Sequence, residues 1–217
     1  MKNSVTKVIK DNIELINNND FLNFFSDVYY EDIPEIVDIL QTAHIDFLKY
    51  MNRIPQLCFK GSKKIQNITI PSNIHLIGFD AFSGSSLTSI DIPSSIHAID
   101  DGAFDNCHQL KSVTIEGAVT IGTGIFSQCT SLETVIFNSS IPYIPPITFQ
   151  NCISLKDVYF PESLDVIDER SFEGCSNVTI HYSGTMQQWK KIEKLGWKHE
   201  WYQKILCNNG TIYPPVY

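Results

Sequence analysis

From Lys64 to Asn177 the chain returns five times to one unit of 22 or 23 residues, and this period constrains the fold more than any single side chain does. The second unit runs Leu87-Thr-Ser-Ile90-Asp-Ile92-Pro93-Ser-Ser-Ile96-His-Ala-Ile99-Asp-Asp-Gly-Ala103-Phe104-Asp-Asn-Cys107, and the others repeat its apolar residues at the same offsets. Phe82, Phe104, Phe126, Phe149 and Phe172 make one column. Ile68, Ile90, Val113, Val135 and Val158 make a second, and Ile70, Ile92, Ile115, Phe137 and Phe160 a third. A unit this short cannot bury its own apolar face, whereas copies stacked on one another can, so the period predicts a solenoid.

Inside a unit, Leu87, Ile90 and Ile92 predict a strand whose Ser89 and Asp91 turn away from the core. Pro93 stops it, having no N–H to give a ladder. A second extended piece follows with Ile96 and Ile99 inward, and Gly102-Ala103-Phe104 turns the chain into the next coil with Phe104 and Cys107 facing in. Stacked at about 4.8 Å, such coils build a parallel ladder with apolar columns through its middle.

This chain resembles the BspA-type, or treponemal-type, leucine-rich repeats. The resemblance rests on L-x-S-I-x-I-P-x-S-I-x-x-I-x-x-x-A-F-x-x-C from Leu87 to Cys107, recurring with drift over about 115 residues. It implies an α+β architecture: a right-handed solenoid of about five coils over residues 61–182, between an N-terminal helical cap or accessory domain (1–60) and a C-terminal helix and strand cap (183–217). The family supplies scaffolds for adhesion and protein binding in surface proteins of bacteria and protists, and occurs in phage-encoded proteins. Two departures stand out: Ser85 where later units carry Cys, and a fourth unit reading Pro142-Tyr-Ile-Pro145-Pro146, whose prolines remove N–H donors and should bend or stiffen one coil.

The two ends differ from the repeats. Val5, Val8, Ile9, Ile13 and Ile16 fall at helical spacing, as do Phe21, Phe24, Phe25 and Val28, then Ile33, Ile36, Val37 and Leu40, then Ile45, Leu48 and Met51. They predict three or four short helices that cap the first coil or form a separate binding or dimerisation unit. At the other end, a helix carrying Trp189, Ile192 and Leu195 and a last strand through Ile205 and Ile212 would cover the open apolar end, which an uncapped stack would expose together with an edge strand.

Charge narrows the partners. The net charge is -8, and residues 61–182 alone hold 13 acidic against 5 basic groups. Phosphate recognition needs a basic stripe, so nucleic acid is not an expected ligand. Lys190, Lys191, Lys194 and Lys198 read as a solvated helix face. No stretch approaches the roughly 18 apolar residues of a membrane span. Met1 to Asp20 mixes Lys2, Lys7, Lys10, Asp11 and Glu14 with no apolar h-region, so the expectation is a cytoplasmic protein, with a cell or virion surface as the alternative.

Cys107, Cys129, Cys152 and Cys175 recur at intervals of 22, 23 and 23, one thiol per coil, in a column pointing inward where free Cys acts as a small hydrophobe. With no CxxC pair and no His beside them, zinc is not expected. Cys58 and Cys207 are assigned to the two caps. His75 and His97 sit at equivalent offsets and should stack on an exposed edge. No catalytic triad order, phosphate loop or dinucleotide fingerprint can be assembled, so neither enzymatic activity nor a cofactor or metal is expected.

The binding surface is expected where strand side chains turn away from the core. By offset this ledge runs through Asn67 and Thr69, Ser89 and Asp91, Ser112 and Thr114, Thr134 and Ile136, Asp157 and Tyr159, then Thr179 and His181. Asp91, Thr114, Ile136, Asp157, Tyr159 and His181 are its candidate contacts, the later ones being the aromatic and apolar kinds that anchor interfaces. Leu76, Ala98, Thr120, Tyr143 and Val166 form a second outward row, with Tyr143 its candidate contact. These features predict a non-enzymatic module binding a protein partner; the family resemblance, with no leader seen, implies for example a phage-encoded or effector-like inhibitor of a host protein. An adhesin-type or virion surface component and a homo-oligomer built through the N-terminal helices are the alternatives.

Overall fold

The computed structural model describes Pro34, Val37 and residues 47–168, 170–195 and 202–214. Strands β1 (Arg53–Ile54), β2 (Leu76–Ile77), β4 (Ala98–Ile99) and β6 (Thr120–Ile121) form one parallel sheet. Strands β3 (Ser89–Ile92), β5 (Ser112–Ile115), β7 (Thr134–Phe137), β9 (Asp157–Phe160) and β11 (Val178–Tyr182) form another, continued by β13 (Tyr202–Cys207) and β14 (Gly210–Ile212). A third sheet joins β8 (Tyr143–Ile144), β10 (Val166–Asp168) and β12 (Glu193–Leu195). The result is a β-solenoid of about six turns, one more than the five expected. Ile54, Cys58 and Phe59 are fully buried, and the Phe59 ring stacks on Phe82 at 5.0 Å, so the array starts one coil earlier than its clearest copies. Cys58 therefore belongs to a coil.

The apolar columns stack as their spacing requires. Phe82, Phe104, Phe126, Phe149 and Phe172 are buried with successive ring centroids 4.8 to 5.8 Å apart. At their turns a separate backbone ladder runs outside the sheets: the N–H groups of Phe59, Phe82, Phe104, Phe126 and Phe149 donate to the next coil at 2.6 to 3.0 Å. The thiols of Cys107, Cys129, Cys152 and Cys175 complete it, donating to the carbonyls of Phe82, Phe104, Phe126 and Phe149 at 3.0 to 3.1 Å. A thiol here fills apolar space and also supplies a weak donor to a buried carbonyl.

Each turn requires left-handed backbone at two places. Gly61, Gly84, Asn106, Gln128, Asn151 and Gly174 occupy one such column with φ of 57° to 78°; Leu57, Asp80, Gly102, Gly124 and Ile147 occupy the other with φ of 51° to 65°. Gly, Asn and Asp are the residues this region favours.

The prolines act where their missing donor falls in register. Gly78, Asp100 and Gly122 donate backbone N–H groups to Ile54, Ile77 and Ile99 of the preceding coil at 2.8 to 2.9 Å. Pro145 stands at the next equivalent position and cannot, and the sheet is interrupted between β6 and β8. Glu116, Asn138 and Ser183 likewise donate to Ile92, Ile115 and Phe160. Pro93 and Pro161 hold that place in other coils. Accordingly the β7–β9 register stops at Ile136 and Tyr159; residues 67–70, whose last carbonyl faces Pro93, do not join β3 at all.

The described residues are nearly all strand and turn, and most of the N-terminal helices behind the α+β expectation lie outside them. Among the described residues helix is confined to Pro34 and Val37, a 3-10 turn at Phe47–Tyr50 and α1 (Met186–Lys191). The other predicted N-terminal helices, from Val5 to Ile45, lie outside the described residues. At the C-terminus Thr185 caps α1 and Gln188 completes the capping box. The predicted helix through Leu195 is too long: Ile192 leaves helical geometry, and β12 pairs in parallel with β10. Trp189 and Ile192 are still buried, and the Trp189 ring packs edge-on against Tyr182. The single expected last strand is a hairpin, β13 with antiparallel β14.

Candidate functional site: a strand ledge with two grooves

The parallel register puts Asp91, Thr114, Ile136, Tyr159 and His181 side by side in one row, ending at Leu206. Ser89, Ser112, Thr134, Asp157 and Thr179 make the neighbouring row. Alternation along each strand does this: Ile90 and Ile92, Val113 and Ile115, Val135 and Phe137 go to the core, and the residues between them face out. Asp91 and Tyr159 are exposed, and Thr114, Ile136, Asp157 and His181 are half-buried. Tyr143 is exposed on β8, in a different sheet, and is not brought together with the other six.

At the C-terminal half of the ledge the side chains are locked together. His181 Nε2 lies 2.6 Å from Asp157 Oδ1, and the imidazole stacks on the Tyr159 ring with centroids 4.0 Å apart and planes 11° from parallel. The contact between Asp157 and His181 is diagonal, one strand over and two residues along, within reach across neighbouring strands. Tyr159 and His181, the latter held by Asp157, border a groove of about 460 Å³ whose walls include Ile136 and Leu206 and whose rim carries Asn138, Ser183 and Asn208. Ile136 and Leu206 supply apolar area, Tyr159 a rigid amphipathic ring, and the amides and hydroxyl orienting hydrogen bonds, the mixture found at the centres of interfaces. Leu206 and Asn208 carry no repeat signal in the sequence because β13 lies outside the repeat period. The Asn138, Pro161 and Ser183 offsets, each just past a strand end, were the available signal.

The second row is built differently. Leu76, Ala98, Thr120, Tyr143 and Val166 occupy equivalent places on their strands, the ladder being broken before Tyr143. Beside it Phe79, 48 % exposed, borders a depression of about 330 Å³ with Ala98, Thr120 and Ile121. His75 and His97 stack on the exposed edge with centroids 5.8 Å apart.

The cysteines are free thiols, and all but the half-buried Cys207 are buried. Burial holds Cys58, Cys129 and Cys152 well above the ordinary thiol range and pushes Cys175 up to about 12, so these thiols stay protonated. Among the described residues no group of three or more His, Cys, Asp and Glu is placed to hold a metal, and no helix is long and apolar enough to cross a membrane.

A crystal structure of a leucine-rich repeat protein from T. pallidum is 28% identical over 59% of this chain and 61% of its own, with a TM-score of 0.56. One from Bacteroides ovatus is 21% identical over 68% of this chain and 52% of its own, with a TM-score of 0.50, and speaks to the fold alone. A leucine rich cell surface protein of Faecalibacterium prausnitzii is 23% identical over 66% of this chain and 54% of its own, with a TM-score of 0.42. The chain thus spans between half and two thirds of the length of these solved relatives. A search of curated proteins returned no match. The model of the BspA type leucine rich repeat region matches in six copies over residues 52–179. With the repeat period, the stacked columns and this match, the chain belongs to the BspA-type leucine-rich-repeat family.

Proposed function

We propose that this chain is a non-enzymatic protein-binding module that holds its partner on the C-terminal half of the strand ledge. Leucine-rich repeat modules are generally binding scaffolds, and they typically bind proteins. The observation that carries the reading to this face is the row Ile136, Tyr159, His181 and Leu206, where the same row in earlier coils holds Asp91 and Thr114. A preorganised aromatic and aliphatic row over a groove is where binding energy concentrates, because the Asp157 hydrogen bond and the Tyr159 stacking already hold His181 in place. The free, buried thiols suit a reducing compartment, which supports an intracellular role in which the module inhibits a host protein by occupying it.

The test is capture from a lysate of the native host, using the wild-type chain and the double variant Ile136→Ser, Tyr159→Ala. One stoichiometric partner lost in the variant, with an unchanged melting transition, is the expected result. Undiminished capture by the variant would place binding on another face, and a concentration-dependent mass with no partner would favour self-assembly.

A further inference from the structure

The apolar groove has a counterpart on the same sheet. Beside β3, where residues 67–70 stay out of the ladder, lies a depression of about 500 Å³ with Ile68, Ile70 and Ile90 at its floor and Asn67, Thr69, Ser89, Asp91, Pro93 and Glu116 around them. Asp91 and Glu116 are exposed, and among the described residues neither forms an ion pair, although Glu116 accepts both its hydrogen bonds from Asn138 Nδ2 at 3.1 Å. Lys156, by contrast, is matched to Glu133 at 2.7 Å, and Lys60 to Asp80 at 2.6 Å. Between the two grooves the ledge carries Ser112, Thr114 and Thr134, side chains small enough for a backbone to pass close above the sheet.

We infer that the occupant of this ledge is an extended polypeptide segment crossing the strands, with a Lys or Arg side chain over Asp91 and Glu116 and an apolar side chain in the groove of Ile136, Tyr159 and Leu206. This rests on the ledge reading above and adds the chemistry of the partner. The carboxylates without ion-pair partners fix the sign of charge at one end, and the apolar walls fix the anchor at the other. From β3 to β9 is three strand steps, about 14 Å at the usual spacing, which an extended chain covers in about four residues. The recognised pattern is thus a cation and a large apolar residue about four positions apart.

Selection of random displayed dodecapeptides on the full chain tests this, repeated on Asp91→Asn, Glu116→Gln and on Ile136→Ser, Tyr159→Ala. The expected winners pair Lys or Arg with an aromatic or aliphatic residue at that spacing. Their affinity should fall about three- to tenfold on the first variant, with a flatter salt dependence. It should be lost on the second. Winners with the apolar residue but no basic preference would overturn the inference and leave the ledge reading intact. Winners that bind the Ile136, Tyr159 variant undiminished would overturn both. Failure to enrich any peptide would overturn the extended-segment inference, while partner capture sensitive to Ile136 and Tyr159 would still uphold the ledge.

Discussion

At the scale of single residues, two positions per coil are governed by backbone rather than by packing. Gly102 has φ of 63°, and a Cβ there would sit 2.5 Å from Asp80 Oδ1, a carboxylate already held by Lys60. Gly102→Ala should therefore cost about 1–2 kcal/mol. Gly84 has φ of 67°, nothing closer than 3.9 Å, and Asn106, Gln128 and Asn151 as its equivalents. Gly84→Asn should stay within about 0.5 kcal/mol, and denaturant unfolding of the two variants compares them directly. The buried thiols make a separate prediction. The unfolded chain releases the Cys175 proton near 9.0, while the folded chain keeps it until about 12. That thiol's contribution is intact below pH 9 and is lost as pH rises toward 12, at about 1.4 kcal/mol per pH unit. Urea titrations across this range should show alkaline destabilisation that is shallower in Cys175→Ala.

At the scale of elements, the sequence was most legible where copies could be compared. The columns of Phe82 to Phe172 and Ile90 to Val158, the strand stop at Pro93 and the outward row from Asp91 to His181 all follow from offset and alternation. The coil around Phe59 escaped notice because its strand shrinks to Arg53–Ile54 and its thiol position is Ser62, leaving only the 23-residue step to Phe82 as a signal. Beyond Tyr182 no repeat supplies a register, so apolar spacing alone extends α1 past Ile192 and does not separate β13 from β14. Prolines are recognisable as donors lost, but where the loss falls depends on register: Pro145 stands where a flank is interrupted, and Pro161 shortens a pairing by one residue. Of the candidate site, the row was legible and its cohesion was not. That Asp157 reaches His181 rather than Thr179, its partner in register, is a diagonal contact set by rotamers.

At the scale of the whole molecule, stability is a chain of neighbour interactions rather than a central core. Phe126 lies mid-stack, with Phe104 at 5.6 Å and Phe149 at 5.8 Å. Phe126→Ala should cost about 3–5 kcal/mol through the cavity it leaves, lowering the unfolding midpoint and binding together. The ledge variants, which touch no column, should separate binding from stability, and that contrast is read by pairing calorimetry with affinity. The thiol ladder has a last consequence. Each of its four thiols reaches back 25 or 26 residues, one period and the short step from Phe to Cys, to a carbonyl of the preceding coil. Each coil thus brings its own donor and presents its own acceptor. Whole coils can be duplicated or excised between Cys107 and Cys175 with no buried carbonyl orphaned at the splice, so the array's length is free to drift in evolution while its faces keep their alignment.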